Sequence, residues 1–187
     1  MNHAFLTYTA GFTLGLFVQV GLIAHLVSLL APALGGQGSG LAAGFATACA
    51  IVDRLFVGWL LPPQGDRRVA AALTYVVQAL GCLAFMLSGG ETISLLLLGV
   101  GLFGVGIGNV TSLPPLIAQV EFAELDVPRV IALSTGIAQA AFAFAPAAFG
   151  LLREWQTASE LHIVLFFGIA ATLQIIAAMC YLRGRSA

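Results

Sequence analysis

Long apolar stretches separated by short polar turns make up this chain from end to end. A helix needs roughly 20 apolar residues to cross a bilayer core, and six segments meet that length: 5–31, 40–61, 69–88, 93–120, 130–152 and 162–181. The turns between them read GGQGS, PPQGDRR, GGET, EFAELDVPR and REWQTASE. Turns this short force successive helices to run antiparallel, and none holds a soluble domain. The pattern predicts an all-α, polytopic membrane protein, with residues 1–187 forming a single bundle of six transmembrane helices. Its first partner is therefore the lipid bilayer.

Composition sharpens this reading. The chain is 60% hydrophobic and 8% charged, with a mean hydropathy of +1.03, against about 25% charged residues in a soluble domain. A net charge of −1 leaves no basic excess for a nucleic-acid partner. Cys49, Cys82 and Cys180 lie inside apolar segments without CxxC spacing, and read as small packing residues rather than a disulfide framework or metal site. Ala31-Pro32-Ala33 resembles a signal-peptide cleavage site. The apolar run from Ala4 is nevertheless about twice as long as a signal peptide's apolar region, and no basic residue precedes it. A retained helix is expected.

Arginine placement predicts orientation, because loops on the cytoplasmic side carry the excess of Lys and Arg. There is no lysine; Arg67, Arg68, Arg129, Arg183 and Arg185 fall on one side and only Arg153 on the other, so both termini are expected in the cytoplasm. Glu121, Glu124 and Asp126 do not alter this, since acids count for little in the rule.

The polar residues inside the spans are the functional candidates. On the second segment, Leu41, Phe45, Val52, Phe56 and Trp59 cluster on one helical side, while Arg54 points nearly opposite on a stripe of Gly40, Ala43, Thr47, Ala50 and Gly58. Small residues allow close helix approach, so Arg54 is expected to face protein or a water-filled cavity. Asp53 lies about 100° away near Ala42, Ala46 and Cys49, and the two are expected to have separate partners. A charge inside a span costs several kcal/mol; Arg54 reads either as an interfacial anchor, as a gating group or as a contact to substrate. The fourth segment carries Gly99-Val100-Gly101-Leu102-Phe103-Gly104, formally GxGxxG, but no strand precedes it and no cofactor is expected. Gly101, Gly104 and Gly108 share one face and Gly99 and Gly106 the opposite one, which suits a helix squeezed between two neighbours. Gln19, Asn109 and Gln139 are polar at depth; Pro146 and Gly150 mark a bend in the fifth segment. His25 titrates near neutrality and reads either as a proton carrier or as a hydrogen-bonded packing residue; Tyr75, Gln78 and Gln174 are weaker candidates. No serine motif with a paired histidine and no HExxH spacing occurs, so neither an enzyme nor a metal site is expected.

The turn after the second segment carries a resemblance. Gly58-Trp59-Leu60-Leu61-Pro62-Pro63-Gln64-Gly65-Asp66-Arg67-Arg68 resembles the second copy of the major facilitator superfamily signature, G-x-L-a-D-R-x-G-R-R. Gly58, Leu60, Gly65, Arg67 and Arg68 match, Arg54-Leu55 stands upstream, and Pro62 and Pro63 replace the central aspartate and arginine. Ala145-Pro146 followed by Gly150 is similar to the G-P-x-x-x-G pattern of the family's eleventh helix, and the glycine-rich fourth segment ending in Pro114-Pro115 is similar to its tenth. The resemblance implies the C-terminal six-helix half of a secondary carrier, moving a small solute by alternating access, with proton coupling as an option. Depth and polarity make Gln19, His25, Asn109 and Gln139 the candidates for its cavity, and Asp53, Arg54, Gly58, Gly65, Asp66, Arg67 and Arg68 the candidates for gating. With Pro62 and Pro63 at the centre, the family's charge network is altered, and Asp66 is the available substitute. Arg54, where it reaches the cavity, favours an organic anion as solute. The family's carriers have about twelve helices, so the other half is expected as a missing N-terminal bundle or as a second copy in a homo-oligomer, in the plasma membrane, a bacterium's inner membrane. The rival expectation is a truncated or non-transporting membrane protein that binds other helices through its small-residue faces.

Overall fold

A computed structural model describes residues 3–62, 65–156 and 162–184. Among them run six helices: α1 (His3–Leu60), α2 (Arg67–Leu87), α3 (Ile93–Val110), α4 (Leu113–Glu121), α5 (Val127–Gln156) and α6 (His162–Arg183). All but α4 are long and apolar enough to cross a membrane, which makes this a multi-pass integral membrane protein.

The 58 residues of α1 would measure about 87 Å if straight, nearly three times the ~30 Å hydrocarbon core. The helix breaks at Gly35, whose φ of 70° and ψ of 173° lie outside the helical range and suit only glycine. Arg68, at the start of α2, donates to the Ala4 carbonyl and the Thr7 hydroxyl near the start of α1. The end of α1 leads through the 61–66 turn to that same place. The chain therefore travels out along residues 3–34 and returns along residues 36–60, covering the first two predicted segments in one hairpin. The fourth predicted segment divides at Thr111-Ser112. There α4 begins with Pro114 and Pro115 in its first turn, where a missing N–H has no partner to lose. In contrast, α5 remains one helix through Pro146.

Packing explains the glycines of α3. Cβ atoms on Gly101, Gly104 and Gly108 would meet Phe45, Ala46 and Ala50 of the returning arm, while those on Gly99 and Gly106 would meet Phe85 and Gln78 of α2. The helix is held between two neighbours on its two glycine faces, as the sequence pattern predicts. The outward arm of α1 packs on α5 through Phe17 and Phe149 and through Tyr8 and Ser134, and on α6 where Gly11 admits the Tyr181 ring. Helices α2 and α6 pair through the stacked rings Tyr75–Tyr181 and Phe85–Phe167. One core, around Tyr8, Phe12, Tyr75 and Tyr181, lies toward the end where the chain starts; a second, around Leu22, Phe85, Phe103 and Phe166, lies beyond it.

Taking the arms of α1 as crossings one and two, the five most extensive pairs are one with five, two with four, three with six, three with four and one with six. Exchanging the first three crossings with the last three maps this set of pairs onto itself.

Candidate functional site

Polar chemistry concentrates at the end of the bundle where α1 starts and α6 finishes. Asp66 sits just before α2 in extended conformation, and its carboxylate accepts from the backbone N–H groups of Arg68 and Val69, at 2.9 and 3.0 Å. It is the N-cap of α2, satisfying two of the amides that a helix start leaves without partners. From this cap Arg68 turns inward, while Arg67 is half-buried and donates to the Gly65 carbonyl at 3.4 Å. Gly65 donates to the Pro62 carbonyl at 2.8 Å, closing the turn, and a side chain at 65 would press on Leu61 and Pro62.

Arg68 is 1% exposed, the largest fully buried side chain described. Its guanidinium meets Glu121, at the end of α4, in a bidentate pair with Nε–Oε1 at 2.5 Å and Nη2–Oε2 at 2.6 Å. Its remaining donors reach the Thr7 hydroxyl at 3.1 Å, the Ala4 carbonyl at 2.9 Å and the Tyr181 carbonyl at 3.4 Å. One arginine thus ties α1, α2, α4 and α6 together. A bidentate pair with its other donors satisfied is the arrangement in which a buried ion pair is tolerated. Gly184 leaves the room: a Cβ there would overlap the guanidinium and the Thr7 hydroxyl.

The returning arm of α1 separates two grooves at this same end. The first, about 310 Å³, lies between that arm, α2 and α3, and carries the Asp53 and Asp66 carboxylates among Val57, Leu60, Leu61, Val69, Leu73 and Val77. The second, about 160 Å³, lies toward α3 and α4 and carries Arg54, Gly58, Arg67, Asn109 and Ser112. The adjacent pairs Asp53-Arg54 and Asp66-Arg67 are therefore split alike: each acid lines one groove and each base the other. Asp53 accepts a hydrogen bond from the Asn109 amide.

Arg54 itself is exposed, as are Gly40, Thr47 and Gly58 on its stripe. The buried line of this arm runs instead through Ala42, Ala46 and Ala50 toward Asp53. The reason lies in the partner: Gly104 and Gly108 of α3 bring their backbone onto Ala46 and Ala50, and that contact selects which small residues are covered. The bulky side behaves as expected, with Leu41, Phe45, Val52, Phe56 and Trp59 all exposed.

The four residues expected in a cavity are dispersed. Gln19 is buried with its Nε2 unpaired. Half-buried His25 bonds the Pro146 carbonyl at 3.0 Å through Nε2 and meets Phe166 edge-on. Asn109 is 2% exposed and lines the second groove, whereas Gln139 is exposed on α5. Pro63 and Arg185 lie outside the described residues.

Glu121 is the functional-site residue that sequence reasoning passed over, having treated it only as an acid in a turn. The signal was present: it ends a segment at the same side of the membrane as Arg67 and Arg68, so a buried arginine there had an acid within reach. Gln78 and Gln174, ranked low, are both fully buried with neither amide atom paired.

No protein-family model matches this chain, and neither a curated protein nor a solved structure matches it.

Proposed function

We propose that this chain is one six-crossing half of a secondary carrier of the major facilitator type, moving a small solute by alternating access against a second half. The observation that carries the reading is the exchange symmetry of the five most extensive helix pairs, which relates crossings one to three to crossings four to six. Carriers of this class are built from such three-helix repeats, with substrate held between two bundles. The signature-like turn at 58–68 supports the same reading. Its arginines Arg54 and Arg67 share an open groove with Asn109 at one end of the bundle, where charges of a second half would meet them on closure. The exposed Arg54 favours an anionic solute. The termini are placed in the cytoplasm of a cell whose plasma membrane, a bacterial inner membrane, holds the protein.

The test begins with the tagged chain purified in mild detergent. A co-purifying six-helix polypeptide or a homodimer is expected, and proteoliposomes of that assembly should accumulate solute. Replacing Gln139 and His25 together by alanine should reduce uptake; unchanged uptake removes both from the cavity. A chain that stays a stable monomer and transports nothing in any assembly rejects the proposal.

A second reading is a membrane protein that binds other spans without transporting. It is favoured by the openness of Gly36, Gly40, Gly44 and Gly58 on α1 and of Gly136 on α5, where an added Cβ would touch nothing. Such surfaces admit a close helix partner. Stable assembly without uptake for any solute class would select this reading.

A further inference from the structure

We propose that the groove between the returning arm of α1 and α2 binds an organic cation, an ammonium group on an apolar body, with Asp53 as its counter-ion. At about 310 Å³ the groove is the size of a small-molecule pocket. Its walls are Val57, Leu60, Leu61, Leu73 and Val77, and among the described residues its charged lining groups are the two carboxylates Asp53 and Asp66.

The position of Asp53 identifies the missing charge. It lies seven residues before Leu60, about 10 Å along the helix from the end of α1. A charged side chain at such depth normally pairs with another charge, because leaving it alone costs several kcal/mol. Asp53 makes no ion pair among the described residues; its hydrogen bond comes from the neutral amide of Asn109. Arg54 cannot serve, since it lines the other groove. One donor leaves most of a carboxylate's acceptor capacity unused.

An ammonium group supplies positive charge and donors to Asp53, and its apolar body covers the leucine and valine walls. Two carboxylates repel an anion, and a hard metal ion would want six or more oxygens, which this lining does not offer. A free amphiphilic amine meets this chemistry in full, and the headgroup of phosphatidylethanolamine offers the same ammonium group beside a phosphate.

The test uses the full chain in phosphatidylcholine nanodiscs, with tryptamine as probe and 3-ethylindole as its uncharged counterpart. Tryptamine should bind saturably, and 3-ethylindole about ten-fold more weakly or worse, the loss that a missing charge-assisted contact produces. Asp53→Asn, which keeps shape and the link to Asn109, should weaken tryptamine by about the same factor. Leu73→Trp should also weaken it by narrowing the groove, with the carboxylate intact, and tests the site even where Asp53→Asn fails to fold. Repeating the titration in phosphatidylethanolamine nanodiscs separates the sources. Competition assigns the site to the lipid headgroup, and unchanged affinity assigns it to a free amine. Equal binding of 3-ethylindole, full binding by the folded Asp53→Asn variant or no saturable tryptamine binding would overturn the proposal.

Discussion

Arg68 is the residue on which most of the described polar structure depends. Because Arg68 is buried and its pair with the partly exposed Glu121 is bidentate, removing the carboxylate leaves a buried guanidinium without its counter-charge. Glu121→Gln should destabilise the bundle by about 3 kcal/mol at most, measured as a loss of thermal stability in detergent. Replacing both, as Arg68→Met with Glu121→Leu, should cost far less than the single change, which a double-mutant comparison will read directly. Asp66 caps the start of α2, and loss of that cap in Asp66→Ala should cost about 1 kcal/mol. Gln174 runs the other way. Its amide is fully buried and unpaired, and Gln174→Leu should stabilise the protein by about 1–3 kcal/mol, the usual penalty of an unsatisfied buried polar group.

Among the elements, α3 shows how a sequence pattern becomes a packing constraint. Its two glycine faces were legible from spacing alone, since residues 101, 104 and 108 recur at helical intervals and 99 and 106 fall opposite. Which neighbour fills each face was not legible, because periodicity says that a face is small without saying what approaches it. The faces also differ in kind. Gly108 meets the backbone carbonyl of Ala50, while Gly106 meets the flexible side chain of Gln78. Gly108→Leu should therefore separate the returning arm from α3 and lose about 3 kcal/mol or more, seen as reduced recovery of monodisperse protein. Gly106→Ala should cost only about 1 kcal/mol, and trimming the neighbour as Gln78→Ala should recover part of it.

For the molecule as a whole, the exposed glycines on α1 and α5 define where another set of helices can approach. Enlarging two of them, Gly40→Leu with Gly44→Leu, should leave the isolated bundle folded, since neither position touches anything, yet abolish co-purification of a partner through this arm. Loss of the fold itself would show that those positions support the bundle from within.

By itself the sequence determined the class of this protein. Apolar runs of spanning length cannot be buried in water, and backbone groups in lipid must be satisfied within each segment, so the chain had to become membrane helices. It also determined the two glycine faces of α3, whereas the break that opens α4 at Pro114 and Pro115 and the capping role of Asp66 came from the structure. Only the tertiary structure decided that Arg54 stays outside while its neighbour Arg68, 14 positions on, is buried against Glu121. The sequence places Arg54 inside a span and Arg68 in a turn, and the structure buries the second rather than the first. Their difference arises because α4 delivers a carboxylate to one, and α3 turns the acid side of the α1 arm, rather than the basic side, toward the core. Burial of a charge is settled by what other segments bring to it, and local pattern carries no record of that.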